Sequence, residues 1–308
     1  MRRRSERPSG ALKHLVRRLI FVTFAAAAVL SGAAPGQPRC FGAAARDATK
    51  PCENPKLRFI AVPSPSDAPL LPALACKFVR YKTPHVCAFA TPKRKAAQTI
   101  ALLGDSHAPA WRAAVDVLAK RRRWRALTLA RSSCPFSTAE HRAQPKSCAE
   151  WKDGVYDWFA RHPEIRTVFF VNSAGYDFTS DPVDGYRQAL DALPPTIERI
   201  VVIRDNPKAA ENTLPCVARA LRKRARPDRR CALDRAAVLT ADPAAEAAPL
   251  LANDRGRAID LTDFFCDDAT CFPVIGGVLV YKDTSHITTV FSRTLGPYLA
   301  RAFAELDR

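Results

Sequence analysis

The sequence predicts an α/β fold, a mostly parallel sheet of five strands, preceded by an N-terminal extension. From about residue 98 onward, short apolar and β-branched runs alternate with segments whose apolar residues recur at helical spacing, the pattern of strand–helix units around a parallel sheet. Each run ends in small or polar residues, as strands of such sheets do where they meet a ligand site. With 308 residues and 47% hydrophobic content, the chain can form one large buried core.

Five runs are predicted as strands and six segments as helices. The strands are 99–103, 124–130, 167–171, 199–203 and 258–261. The helices are 109–121, 149–160, 184–193, 216–224, 243–251 and 289–306. Because strands alternate with helices along the chain, helices are expected to cover both faces of the sheet.

Residues 1–34 are predicted to be an export signal or an N-terminal anchor. Basic residues, among them Arg2 and Arg18, precede an uncharged apolar core at 19–30. Small residues follow at 31–33, where a signal peptidase would cleave. The core is short for a membrane-spanning helix, so a cleaved signal is the expectation and an uncleaved anchor the alternative.

Residues 35–97 are predicted to form a proline- and cysteine-rich extension rather than a separate domain. The segment contains four of the ten cysteines and shows little helical periodicity. An even number of cysteines after an export signal indicates disulfides in an oxidising compartment. Nearest neighbours in the sequence are the economical pairing: Cys40 with Cys52, Cys76 with Cys87, Cys134 with Cys148, Cys216 with Cys231, and Cys266 with Cys271. The sequence contains no Cys-x-x-Cys spacing, so a metal site is not predicted.

The net charge of +18 favours acidic partners such as anionic lipid headgroups, anionic cell-wall polymers or nucleic acid. Zinc-finger spacing, an aromatic RNA-binding motif and a glycine-rich phosphate loop are all missing from the sequence. We therefore expect neither a nucleic-acid partner nor a cofactor.

The first candidate site is the stretch Gly104-Asp105-Ser106-His107, between the first predicted strand and the first predicted helix. Glycine permits a sharp turn where a Cβ would clash. A serine at the start of a helix lies near unpaired backbone N–H groups that can stabilise an oxyanion. This arrangement is typical of a nucleophile at the edge of a parallel sheet. The alternative is that Ser106 only caps the helix.

The second candidate site is Asp283-Thr284-Ser285-His286, in a loop before the last predicted helix. A nucleophilic serine needs a base, and the base needs a partner that fixes its tautomer. His286 and Asp283 can supply both from one loop. The alternative is a turn capped by Asp283 or Thr284, with His286 on the surface.

Together the two stretches resemble the SGNH, or GDSL-like, hydrolase superfamily. The order and separation of the blocks agree with that superfamily, with the nucleophile after the first strand and the Asp-x-x-His block just before the last helix. The chain is most similar to the SGNH domain fused to acyltransferase-3 membrane domains of bacterial O-acyltransferases. That similarity rests on Gly104-Asp105-Ser106-His107, Trp111, Ser133-Cys134-Pro135, Arg204-Asp205-Asn206-Pro207 and Val280-Tyr281-Lys282-Asp283. It implies a three-layer αβα, flavodoxin-like fold over residues 98–308.

The resemblance also implies residue roles. Ser106 would be the nucleophile, His286 the general base and Asp283 its orienting carboxylate, while Asp105 would be structural. The oxyanion donors would be the Ser106 N–H, a group at Ser133, and Asn172. The sequence departs from the family here, since no glycine stands at 131–134 and only Asn172 remains of the third block. His107, Arg204 and Asn206 are further candidates for lining the substrate.

The implied function is an exported serine esterase or O-acyltransferase. It would act through an acyl-serine on O-acyl groups, acetyl being favoured, of cell-envelope glycans. The sequence contains no multi-span hydrophobic region, so a separate membrane acyltransferase is the expected source of acyl groups for a transfer reaction. The alternative is a non-catalytic SGNH-fold domain that binds a glycan or a protein partner. Either protein would be extracytoplasmic: secreted, periplasmic, attached to the cell wall or anchored at its N-terminus.

Overall fold

The structure, a computed structural model, describes residues 37–142 and 144–306. In chain order the strands are β1 (Lys77–Arg80), β2 (Val86–Ala90), β3 (Gln98–Gly104), β4 (Trp124–Ala130), β5 (Thr167–Val171), β6 (Arg199–Ile203), β7 (Leu233–Asp234), β8 (Gly256–Ile259), β9 (Thr270–Cys271), β10 (Val274–Ile275) and β11 (Val278–Leu279). The helices are α1 (His107–Arg121), α2 (Ser147–Ala160), α3 (Pro182–Asp191), α4 (Thr213–Arg222), α5 (Pro227–Arg230), α6 (Arg235–Val238), α7 (Pro243–Ala247) and α8 (Thr289–Glu305).

The central sheet has seven strands in the order β1-β2-β4-β3-β5-β6-β8. The last five of these are parallel to one another and correspond to the five strands predicted from the sequence. The α/β fold class is therefore confirmed. The N-terminal extension adds two strands, with β2 antiparallel to β4 and β1 antiparallel to β2.

The two extra strands correct the predicted strand number. β1 lies at the edge of the sheet with most of its side chains exposed, so its sequence carries no alternation of apolar and polar residues. β2 is a run of five residues that includes a disulfide-bonded cysteine and two alanines. β2 is stabilised by pairing with the free edge of β4, and β1 by pairing with β2. Such pairing cannot be read from a local sequence pattern.

Alternate residues of β3 point to opposite faces of the sheet and so divide the core into two layers. Ile100 and Leu102 belong to the layer beneath α1 and α8. Ala101 and Leu103 belong to the layer beneath α2, α3 and α7. All four are fully buried, and burying a leucine side chain stabilises the fold by about 1.5–3 kcal/mol. This arrangement holds the end of β3, and thus Ser106, in a fixed place.

Five of the six predicted helices agree with the structure, proline divides the sixth, and the four-residue helices α5 and α6 were not predicted. The segment predicted as one helix over 243–251 is divided into α7 and a 3₁₀ turn, Ala248–Leu250. Pro249 has no N–H to continue the α-helical ladder and its ring clashes with the preceding turn. The other predicted helices begin and end within three residues of the observed ones.

Five disulfides join the neighbouring cysteines, in the pairing that the sequence predicted. Each closes a loop of 5 to 15 residues, a constraint on the unfolded chain typically worth about 2–3 kcal/mol. Cys76–Cys87 joins the residue just before β1 to β2 within the extension, and Cys134–Cys148 joins the loop after β4 to α2. The extension is also held by the backbone of Val62, which bonds to Gly277 and Leu279.

The predicted export segment, residues 1–34, lies outside the described residues. Within residues 37–142 and 144–306, none of the helices has the length and apolar character needed to span a bilayer.

The end of β3 offers a direct test of this packing. A Cβ added to Gly104 would lie 1.7 Å from the carbonyl oxygen of Val171 on β5, and the residue has φ of +155°. We expect Gly104→Ala to lower the free energy of unfolding by about 3 kcal/mol or more, because rigid backbone must move. Urea unfolding followed by circular dichroism measures this. Gly175→Ala is the matched control, since its Cβ would meet only the flexible end of Lys208, and equal losses in both variants would contradict the account.

Candidate active site

A buried carboxylate fixes the turn that carries Ser106. Asp105 is fully buried. It accepts hydrogen bonds from the backbone N–H of His107 at 2.8 Å, from the backbone N–H of Ser173 at 3.0 Å, and from the Tyr176 hydroxyl at 2.7 Å. Asp105 thus joins the β3–α1 turn to the loop after β5, the structural place predicted for it.

Ser106 does not cap α1 with its side chain. Instead its Oγ lies 2.8 Å from Nε2 of His286, which is 180 residues further along the chain. The serine precedes the first residue of α1, where backbone N–H groups lack helical partners. The geometry therefore favours the nucleophile over the helix cap.

Asp283 folds its own loop around His286. Its Oδ1 accepts from the backbone N–H of Ser285 at 2.9 Å and of His286 at 2.7 Å, and its Oδ2 lies 2.9 Å from Nδ1 of His286. Burial alone would raise the pKa of Asp283, but the hydrogen bonds from the His286 side chain and from the two backbone N–H groups hold that pKa well below its usual range. Asp283 is therefore an anion in contact with the imidazole.

Two contacts anchor this loop to the chain that follows β6. The Asn206 side-chain amide donates to the carbonyl of Ser285 at 2.8 Å, and the Ala209 N–H donates to the carbonyl of Thr284 at 2.8 Å. Asn206 is buried, and its hydrogen bond to Ser285 holds the loop in place. That Asn206 also lines the substrate remains a prediction.

The three side chains form a continuous chain of hydrogen bonds from Ser106 through His286 to Asp283. In this order a histidine can take the serine proton while the carboxylate stabilises the imidazolium that results. Nearly a quarter of the His286 side chain and 44% of the Asp283 side chain are exposed, so a reactant can reach the group from solvent.

His107 lies beside this group but is buried. Its Nδ1 is 2.6 Å from Oδ1 of Asp205, and each side chain is only 3% exposed. Its ring centroid is 4.8 Å from that of His286. Burial would lower the pKa of His107, but the charge and hydrogen bond of Asp205 raise it to about 9. No role for Asp205 is predicted from the sequence, although the residue stands between Arg204 and Asn206 in a stretch on which the family resemblance rests.

Asn172 and Ser133, the candidate oxyanion donors, lie at the ends of the two strands that flank β3. The Asn172 amide donates to the Tyr186 hydroxyl at 3.3 Å, and its oxygen is buried without a hydrogen-bond partner among the described residues. Ser133 has φ of +57°, so its loop turns sharply after β4. Their oxyanion roles remain predictions.

Arg204 is engaged on the β8 side of the sheet. Its guanidinium donates to the carbonyl of Thr240 at 2.9 Å and to the Thr262 hydroxyl at 3.3 Å, and lies 3.6 Å from the carboxylate of Asp260. These contacts hold neighbouring loops together. Among the described residues, these hydrogen-bond and ion-pair partners of Arg204 do not include Ser106, His286 or Asp283.

Residues 75–301 match the sequence model of a family described as the SGNH domain fused to AT3 domains. This chain belongs to that SGNH family. The match confirms the resemblance predicted from the two sequence blocks, and it includes β1 and β2. The SGNH match therefore begins inside the N-terminal extension.

One solved structure supports the fold. The periplasmic domain of a lipopolysaccharide acetyltransferase from Salmonella ser. Paratyphi A is similar to this SGNH protein, with a TM-score of 0.54 and 12% identity over 68% of this chain and 85% of that one. A thioesterase domain from the curacin biosynthetic pathway shares 13% identity over 48% of this chain and 54% of its own, with a TM-score of 0.24. No curated protein matches the chain.

Because Asp105 accepts three hydrogen bonds, we expect its replacement to lower the stability of this SGNH domain. Asp105→Ala leaves two N–H groups and the Tyr176 hydroxyl without their acceptor, and we expect it to lower the free energy of unfolding by about 3 kcal/mol. Urea denaturation provides the measurement. The control is Asp157→Ala on the exposed face of α2, whose carboxylate lies 3.9 Å from the Arg161 guanidinium and whose loss should change the free energy of unfolding by about 0.5 kcal/mol or less. Similar values for both variants would show that Asp105 does not hold the turn.

Proposed function

We propose that this SGNH domain is a serine esterase or O-acyltransferase that acts on O-acyl groups of cell-envelope glycans. The observation that carries the proposal is the hydrogen-bonded chain from Ser106 Oγ to His286 Nε2 and from His286 Nδ1 to Asp283. Family membership and the fold support an acyl ester as the substrate.

In the first half of the proposed reaction, Ser106 Oγ attacks the carbonyl carbon of an ester. His286 Nε2 takes the serine proton as the new C–O bond forms, and Asp283 stabilises the imidazolium. The carbonyl electron pair moves to oxygen and then returns as the bond to the sugar oxygen breaks. His286 gives its proton to that leaving oxygen, and an acyl-serine remains.

In the second half, a water molecule or a sugar hydroxyl attacks the acyl-serine. His286 takes the proton of the attacking O–H, and Ser106 regains a proton from His286 when its ester bond breaks. The same three residues thus serve hydrolysis and transfer. The product depends on whether water or a bound hydroxyl reaches the acyl carbon.

The developing negative charge needs hydrogen-bond donors. The backbone N–H of Ser106 is the first of these, because it lies at the beginning of α1, a helix of 15 residues whose dipole favours an anion. We propose Asn172 and a group at Ser133 as the other donors, since each stands at the end of a strand adjacent to β3.

The proposed substrate is an anionic, O-acetylated glycan outside the cytoplasm. The chain carries a net charge of +18, which favours an anionic polymer, and its five disulfides suit an oxidising compartment. The structural neighbour from Salmonella is the periplasmic domain of a lipopolysaccharide acetyltransferase. For transfer, we propose a separate membrane acyltransferase as the acyl donor.

A non-catalytic binding domain is the alternative function. The loop after β4 and the end of β5 depart from the family pattern at Ser133 and Ser173, which favours that alternative. The intact hydrogen-bonded Ser106, His286 and Asp283 favour an enzyme, because binding a glycan does not require a base joined to a serine.

Replacing Ser106 tests the proposal. We expect Ser106→Ala to reduce turnover of p-nitrophenyl acetate and of an O-acetylated oligosaccharide to the background rate, since no other group in the mechanism forms the acyl intermediate. Released acetate and p-nitrophenol are measured, and circular dichroism checks folding. Ser66→Ala, an exposed serine in the extension, should keep full activity. Wild-type turnover that persists in Ser106→Ala would contradict the assignment.

A further inference from the structure

A second carboxylate–imidazole pair lies next to the first. His107 and Asp205 are 2.6 Å apart and almost completely buried, whereas His286 and Asp283 are partly exposed. The His107 and His286 rings are 4.8 Å apart, with their planes tilted by 47°. Two imidazoles, each paired to its own aspartate, therefore meet beside Ser106.

The inner pair is connected to the ends of three strands. Asp205 follows β6, and its Oδ2 accepts from the N–H of Ala174, in the loop after β5, at 2.9 Å. Its own N–H donates to Oδ2 of Asp242 at 2.7 Å. His107 follows β3, and its N–H donates to Asp105. Hydrogen bonds to Asp105, to the Ala174 N–H and to Asp242 therefore hold the His107–Asp205 pair in place.

The charge of this pair is set by its surroundings. The carboxylates that face the two rings are Asp283 from the exposed loop, Asp105 from the nucleophile turn and Asp205 from the end of β6. Burial and the charge of Asp205 raise the pKa of Asp242 to about 6, so Asp242 is mostly ionised at neutral pH, where His107, with its pKa of about 9, keeps its proton. His107 is then an imidazolium with a hydrogen on both ring nitrogens, so it cannot accept the proton of the adjacent Ser106.

A buried ion pair is not needed to stabilise a core, because apolar side chains of similar size often give equal or greater stability. Placement beside a nucleophile therefore points to a function. The His107 ring rests against His286, whose two nitrogens already contact Ser106 and Asp283. The His107 ring, which Asp205 and Asp105 hold in place, blocks rotation of the His286 ring toward it.

We propose that His107 is a positioning residue: paired with Asp205, it holds the His286 imidazole in the orientation that bonds to Ser106 and leaves His286 as the only base. This inference rests on the proposed esterase or acyltransferase function. It assigns to the histidine after the nucleophile a role other than substrate contact.

The test compares His107→Gln, Asp205→Asn and the double variant in p-nitrophenyl acetate turnover. Each single variant should lower kcat about tenfold or more while KM stays within about twofold, because orientation of the base is lost and substrate binding is not. The double variant should lose little more than either single variant, since the two residues act as a unit. Additive losses, or a kcat equal to that of the wild type, would overturn the proposal.

The pH profile gives a readout that a merely structural role would not move. His107 keeps its proton below its pKa of about 9, so wild-type kcat should fall as the pH rises through about 9, and this alkaline limb should be missing in His107→Gln. A wild-type profile without the limb contradicts the proposal, even where a variant does not fold. Arg301→Gln, which breaks the Asp47–Arg301 pair between the extension and α8, is the matched control and should keep both kcat and the limb.

The outcomes also separate this inference from the proposed function. Wild-type turnover that is lost in Ser106→Ala but unchanged in His107→Gln and Asp205→Asn overturns the positioning role and leaves the esterase assignment intact. A wild type without any turnover on acetyl esters or acetylated oligosaccharides overturns both.

Discussion

The site depends on one buried carboxylate. Asp105 holds the β3–α1 turn and the loop after β5 through three hydrogen bonds, and Gly104 lets the chain enter that turn against the backbone of β5. Only with both in place does Ser106 stand at the N-terminus of α1 with its Oγ directed at His286. The apolar layers on either side of β3 exist in many α/β proteins, whereas this carboxylate fixes the turn that carries the proposed nucleophile at the edge of the sheet.

The proposed base, His286, is held beside the proposed nucleophile, Ser106, by the chain that follows a neighbouring parallel strand, β6. The loop that contains Asp283 and His286 comes 180 residues after Ser106, and Asn206 and Ala209 fasten it to the chain that leaves β6. The same strand end supplies Asp205 to His107. One neighbouring strand therefore orients both histidines, which explains how a partly exposed loop can hold a base at hydrogen-bond distance.

Much of the fold and of the candidate site could be predicted from the sequence, for physical reasons that differ by element. The five parallel strands are mostly apolar and alternate with helices along the chain. The Asp-x-x-His spacing lets Asp283 accept hydrogen bonds from its own loop. β1 and β2 could not be predicted, because edge pairing and a disulfide rather than local apolar patterning stabilise them. The partners of Asp205, Asn206 and Arg204 depend on contacts tens of residues apart, and no local pattern encodes them. The sequence offered one signal for Asp205: it is an acid that stands between the candidate residues Arg204 and Asn206 at the end of a predicted strand.

The central claim is that Ser106 is activated by His286. The most direct measurement is covalent labelling of the folded protein with an organophosphonate, followed by peptide mass spectrometry, in the wild type and in His286→Ala. The account predicts one adduct, on Ser106, that forms rapidly in the wild type and is almost lost in His286→Ala. No adduct on Ser106 in folded wild-type protein, or equal labelling in the two proteins, would contradict it.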